Sequence, residues 1–222
     1  MNPKCSGVRF EEGSNMRMAI GIAGLLLASF ALPAAAQEVQ IADGVPQVSF
    51  TVNGRNFTIA RDQDQNANLT GEFAKTSRPC PAFCVQPMIA APGVQPVGEL
   101  ELISFLENVV AEGSGLLIDA RLPDWYAKGA IPGAVNVPFA ALDAQNPYKN
   151  DILLALGAVQ TSDGMDFTTA NDLMVYGNGA WDEQGSRAIT NLIDAGYPAS
   201  KIQNYRGGLE DWLHLGLSTL VP

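Results

Sequence analysis

Two short apolar runs, Leu-Leu-Ile at 116–118 and Leu-Met-Val-Tyr at 173–176, constrain the fold more than any other feature of this chain. Runs of this length with no polar alternation suit strands buried on both faces, and such strands belong to parallel sheets covered by helices. The surrounding pattern repeats the theme. A short strand at Val97 precedes a helix over 99–112, whose apolar residues are Leu100, Ile103, Leu106, Val109 and Val110. A strand at 115–119, a short helix at Trp125 and Tyr126, a strand at 135–137 and a helix at 151–157 follow. Strand 173–176, helix 185–195, strand 202–205 and helix 209–215 complete the series. This alternation predicts an α/β domain with a parallel sheet and helices on both faces. Ligands of such sheets bind beyond the carboxyl ends of the strands, and residues 177–186 fall there.

The N-terminal part reads differently. Met16 to Ala36 has a basic start, an apolar core and an Ala34-x-Ala36 ending, the pattern of a secretory signal peptide cut after Ala36. The translation start is open among Met1, Met16 and Met18. The expected location is periplasmic or secreted, with no stable membrane span once the leader is removed. Alternating residues on both sides of Asn53-Gly54, over 47–60, predict a β-hairpin. Residues 61–76 form a polar link with a short helix near Leu69 to Phe73. Residues 78–93 carry four prolines and predict a rigid, non-helical lead-in. The expected organisation is a leader at 1–36, a hairpin with a Pro/Cys-rich segment at 37–96, and the α/β domain at 97–222.

With 23 acidic against 13 basic residues, the formal net charge is −10, and the basic residues form no cluster. Nucleic acid and anionic membrane surfaces are therefore poor partner candidates, and no nucleic-acid partner is expected. Of three cysteines, Cys5 lies in the leader, leaving Cys80 and Cys84. In an oxidising compartment these predict a local disulfide, with a redox-active pair as the open alternative. Zinc would need further ligands, and His214 is the sole histidine. No metal or cofactor is expected.

After the strand at 173–176 comes Gly-Asn-Gly-Ala-Trp-Asp-Glu-Gln-Gly-Ser-Arg, residues 177–187, leading into a helix. A loop of this kind gathers backbone N–H groups and a helix N-terminus around one point, which suits a thiolate or small anion. The candidate pocket residues are Gly177, Asn178, Gly179, Ala180, Trp181, Asp182, Glu183, Gln184, Gly185, Ser186 and Arg187, supported by Asp119 and Arg121. Trp181 is expected either to meet a partner or to pack on the hairpin extension. Arg187 is expected to receive an anion or to pair with Asp182, Glu183 or Asp119.

Residues 116–138 and 204–212, together with this loop, resemble the signature segments of rhodanese-like domains, and the likeness covers about residues 97–220. The loop resembles the Cys-Asn-Gly-Pro-x-Cys subgroup, often exported, in which the first Cys carries a persulfide. Gly177 and Asp182 stand at the two Cys positions, and Ala130 stands where the first signature commonly has His. The resemblance implies a sulfurtransferase-like fold, and it implies that Asp119 and Arg121 organise the loop, Asp119 by accepting from loop N–H groups. The residues deny the usual chemistry, since neither Gly nor Asp can carry sulfur. The expected role is a non-catalytic binding or accessory module in periplasmic sulfur or oxidative metabolism, with a periplasmic protein or small anion as partner. Two other roles stay open: thiol–disulfide redox or sulfur-carrier activity through Cys80 and Cys84, and a purely structural module with Trp181 in an interface.

Overall fold

The computed structural model describes residues 38–222; the leader expected at 1–36 and its expected cleavage position lie outside them. The hairpin is β1 (Gln47–Val52) and β2 (Arg55–Ala60), paired antiparallel with Val52 opposite Arg55. Asn53 and Gly54 both have positive φ, the conformation that a two-residue primed turn requires.

The main sheet contains β3 (Gln95–Val97), β4 (Gly115–Asp119), β5 (Val135–Asn136), β8 (Asp172–Tyr176) and β9 (Ile202–Tyr205). Its order is β3-β9-β8-β4-β5, and every pairing is parallel. Pro96 is tolerated because β3 is an edge strand. The helices are α1 (Glu99–Phe105), α2 (Pro123–Tyr126), α3 (Lys149–Ala155), α4 (Gln184–Asp194) and α5 (Gly208–His214). Beyond α1 the chain keeps turning over Leu106–Val110 but widens, with the Ala111 N–H donating to Leu106 O at 3.0 Å.

The period-2 geometry of the strands sorts the core into two layers. Leu117, Met174 and Tyr176 face α1, α5 and the hairpin, joining Leu102, Leu106, Trp212, Phe50 and Ile59. Ile118, Leu173 and Val175 face the other way, against Leu153, Ala188, Ile189 and Leu192 of α3 and α4. The hairpin thus packs on one helical layer as part of the same core.

An exposed hairpin of β6 (Val159–Thr161) and β7 (Gly164–Asp166) departs from the expected series. Nearly all its residues face solvent, so it has no apolar alternation by which to be read.

The register puts Asp119 beside Tyr176 and Tyr176 beside Tyr205. The carboxyl ends of β4, β8 and β9 are therefore level where the loop of residues 177–183 leaves the sheet.

Candidate functional site

The loop opens directly after β8 and closes into α4. Its centre holds the carboxylate of Asp182, which is 6% exposed. Oδ2 accepts from the Asn178 N–H at 2.8 Å, and Oδ1 accepts from the Gln184 N–H at 3.3 Å. The Gln184 side-chain amide donates to both oxygens at 3.1 Å, while its Oε1 accepts from the Leu122 N–H at 2.9 Å. The N-terminus of α4 also favours negative charge at this point. A β-carbon on Gly177 would lie 3.0 Å from Asp182 Oδ2 and 3.0 Å from the Gly185 nitrogen. The cradle for an anion is filled by the chain's own carboxylate.

From the other side, the first turn of α5 presses on the loop. Leu209 N–H donates to Gly177 O at 3.1 Å and Glu210 N–H to Asn178 O at 2.8 Å. Gly208 permits this approach: its φ is +61°, and a β-carbon there would meet Gly177 O at 2.5 Å. Asn178 is fully buried, and neither atom of its side-chain amide has a partner among the described residues.

The proline-rich segment lies over the loop. Gln86 N–H donates to Ala180 O at 2.8 Å, and Ser186 Oγ donates to Gln86 Oε1 at 3.1 Å. Arg206 clamps the segment by donating to Gln86 O at 2.6 Å and Pro87 O at 3.1 Å. Trp181 packs edge-on to Phe83 at 5.6 Å with the Arg78 guanidinium 3.7 Å from its ring centre. Its indole N–H donates to Glu210 Oε2 at 2.6 Å. Burial holds the Glu210 carboxyl above its ordinary range, opposed by the Trp181 hydrogen bond and reinforced by neighbouring Asp211. Cys80 and Cys84 form a disulfide within this segment. The crevice left between segment and loop is about 20 Å³, space for about one water. A cavity of about 810 Å³ runs along residues 60–73 and 213–219 and shares no lining residue with this crevice.

Beside the loop, Arg121 donates through Nε to Asp119 Oδ1 at 2.8 Å and through Nη2 to Oδ2 at 2.5 Å, and Tyr176 OH donates to Oδ2 at 2.6 Å. Asp119 and Arg121 are fully buried. Burial lowers the guanidinium pKa, but hydrogen bonding and charge from Asp119 outweigh it and hold the group above its usual value. Burial, then the Asp119 charge, pushes the Tyr176 phenol well up, so it remains a neutral donor. Among the described residues, no group of three or more His, Cys, Asp or Glu could hold a metal ion.

The parallel five-stranded order and the helix-capped loop at the end of its central strand coincide with a family match, for the rhodanese-like domain model covers residues 103–215. The chain belongs to the rhodanese-like family. Similar solved structures include the rhodanese-like domain of an Anabaena protein, at 27% identity over 57% of this chain and 79% of that one, TM-score 0.39. A human single-domain sulfurtransferase is similar at 26% identity over 55% and 96%, TM-score 0.39. A Rhodopseudomonas palustris protein of unknown function, designated a possible tyrosine phosphatase, is similar at 19% identity over 59% and 88%, TM-score 0.43. Among curated proteins, none matches.

Within this rhodanese-like domain several expectations need correction. Asp119 does not accept from loop N–H groups; β4 points it at Tyr176 and Arg121, and Asp182 takes the loop's donors instead. Trp181 packs on Arg78 and Phe83 rather than on the hairpin, because the proline-rich segment folds back across the sheet end. Arg187 does keep an expected partner, pairing with Glu183 at 3.2 Å, and its guanidinium stacks over Phe139. Arg78, Gln86, Arg206 and Glu210 also belong to the site, though no motif at the loop itself points to them. Arg206 does carry a sequence signal, since it sits in the Tyr-Arg-Gly-Gly turn that faces the loop; the others act through contacts distant in sequence.

Proposed function

We propose that this chain is a non-catalytic rhodanese-like module that serves as a binding or accessory protein in the periplasm, in sulfur or oxidative metabolism. The carrying observation is the Asp182 carboxylate seated in the loop's ring of donors beside Gly177. A sulfurtransferase needs a thiolate there to attack and then hold sulfur. Here the negative charge is fixed and cannot act as that nucleophile. The same carboxylate repels a second anion, so the loop is read as a surface for a protein partner. Two features support that reading: the small crevice above the loop, and the exposure of Val85, Met88 and Ile89 at 82%, 60% and 58% in the covering segment. The signal-peptide pattern over Met16 to Ala36 supports export; among the described residues, no helix is long and apolar enough to cross a membrane.

The test is thiosulfate-to-cyanide sulfur transfer by the purified protein, alongside N-terminal sequencing of the exported form. The expected results are no turnover above the uncatalysed rate and a mature chain beginning at Gln37. Robust wild-type turnover would sink the non-catalytic reading, and retention of the leader would sink export.

The second reading, redox activity through Cys80 and Cys84, has one favouring observation: Cys80 is exposed. The pair's reduction potential separates the two readings. A value below about −300 mV marks a structural clip, and one between about −270 and −120 mV marks an oxidoreductase.

A further inference from the structure

The proline-rich segment over the loop is fastened at two ends and not between them. At one end Arg78 donates to the main-chain O and the carboxylate of Glu72 and lies over Trp181. At the other, Gln86 N–H donates to Ala180 O, its side chain accepts from Ser186, and Arg206 holds its carbonyl. Residues 79–85 make no hydrogen bond to the loop among the described residues. Their bonds are local: Phe83 N–H donates to Pro79 O at 3.1 Å, and Cys84 O accepts from the Gln86 side-chain amide at 2.8 Å. The Cys80–Cys84 bond is therefore what shapes this stretch, and the small ring it closes holds Phe83 edge-on to Trp181.

Trp181 is fixed independently of that ring. The Arg78 guanidinium lies 3.7 Å from its ring centre, and its indole N–H donates to Glu210 Oε2 at 2.6 Å. Withdrawal of Phe83 would bare one side of an indole whose orientation is already set. An aromatic anchor ordered before binding loses little rotamer freedom on contact, which favours it at the centre of a protein interface. The ring is also open to attack: Cys80 is exposed, whereas Cys84 is half-buried. An incoming thiolate thus reaches the Cys80 sulfur first.

We propose that residues 79–85 are a redox-operated cover: oxidised, they mask Trp181 with Phe83; reduced by a dithiol, they swing clear and open the loop face to its protein partner. A thiolate of the dithiol attacks Cys80 Sγ, which forms a mixed disulfide and releases Cys84 as a thiolate. The second thiol of the dithiol then breaks the mixed disulfide. The reductant leaves as its own disulfide, and two electrons and two protons pass to Cys80 and Cys84. The cover rests on reading the loop as a surface for a protein partner, and it gives that surface its regulation. It differs from the oxidoreductase reading because the reduced pair passes its electrons to no further substrate.

The test treats the folded protein with dithiothreitol, counts free thiols by alkylation and intact mass, and follows two readouts. Chymotryptic cleavage after Phe83 should accelerate on reduction by about ten- to thirtyfold, the upper figure being the gain in open population that the chain-entropy relation allows for so small a ring. Acrylamide quenching of Trp181, isolated by subtracting the Trp181→Phe signal, should rise in step. Phe83→Ala keeps the disulfide and should already show the higher quenching when oxidised, with little further response to dithiothreitol. Cys80→Ser/Cys84→Ser should show it without any reductant. A pair that resists excess dithiothreitol in the folded protein, a reduced pair with cleavage and quenching unchanged, or oxidised Phe83→Ala quenched no more than wild type would each overturn the cover. No readout uses a partner or sulfur transfer, so failure of the cover leaves the binding-module reading standing, and sulfur-transfer activity would sink that reading without altering these measurements.

Discussion

The Oδ2 atom of Asp182 lies 3.0 Å from where a β-carbon on Gly177 would stand, while it accepts the Asn178 N–H at 2.8 Å. Gly177 is not among the glycines with positive φ, so its backbone conformation does not demand glycine. Space does. A side chain at 177 and a carboxylate at 182 compete for one position and one set of donors, so the two residues act physically as a unit.

Gly177→Cys alone should therefore fail to restore sulfur transfer. The new thiol would face a carboxylate at close range, which disfavours its ionisation and moves its pKa above the ordinary value of about 8.5. In Gly177→Cys/Asp182→Ala, the freed N–H groups and the N-terminus of α4 should stabilise the thiolate and bring the pKa down by about one unit or more. Ultraviolet thiolate absorbance against pH reads both. Equal thiol pKa values in the two variants would contradict the coupling.

Asp182→Ala in the native background should destabilise the fold. It leaves the Asn178 and Gln184 N–H groups without their buried acceptor, at a cost of about 2–3 kcal/mol. Asp182→Asn retains an acceptor oxygen and should lose clearly less. Urea denaturation midpoints of the two variants provide the comparison, and an alanine variant as stable as wild type would contradict the assigned role.

Much of this was legible in the chain, for identifiable reasons. The apolar runs ending at Asp119 and Tyr176 expose strand pairs because burial on both faces leaves no other use for them. Asn53-Gly54 marks its turn because both positions require positive φ. The loop's position was legible as well, since it follows a strand and opens a helix. What Asp182 does there was not. A charge two residues before a helix reads equally as solvated or as turned inward, and only the three-dimensional closeness of Gly177 and Gln184 decides it. Arg78 over Trp181 and Arg206 on Gln86 were hidden for the same reason, as their partners lie about a hundred residues away along the chain.

Removing the Cys80–Cys84 bond should loosen the segment over the loop more than it weakens the whole fold. The ring it closes is about five residues, for which the chain-entropy relation gives at most about 2 kcal/mol. Trp181, held by Phe83 within that ring, should shift its fluorescence to the red in Cys80→Ser/Cys84→Ser, with Trp181→Phe used to isolate its signal. An unchanged Trp181 spectrum would mean that Arg206 and Gln86 hold the segment without the disulfide.

The buried Asp119, Arg121 and Tyr176 group should respond unequally to its parts. Asp119→Leu strands a buried guanidinium and should cost about 3–5 kcal/mol. Tyr176→Phe removes the hydrogen bond to a carboxylate still paired with Arg121 and the acceptor of the Ile131 N–H at 3.2 Å, and should cost about 1.5–3 kcal/mol. Denaturant melts test the order, and a larger loss for Tyr176→Phe would show that the phenol, not the ion pair, holds the strand ends.

Glu210 supplies a pH-dependent test. Its folded pKa is raised, chiefly by burial, so the native state binds its proton more readily than the unfolded chain does. Stability then falls as pH rises from the unfolded value through the folded one, and the penalty is fully present above both. Glu210→Gln removes that penalty and keeps a carbonyl oxygen to accept the Trp181 indole N–H at 2.6 Å. The variant should therefore be more stable than wild type at neutral pH, and its advantage should shrink as the pH drops toward 4.5, the ordinary value for the group. Thermal melts of both proteins across that interval measure the difference. An advantage that grew on acidification would mean that the Trp181 hydrogen bond to the ionised carboxylate, rather than its burial, governs this contact.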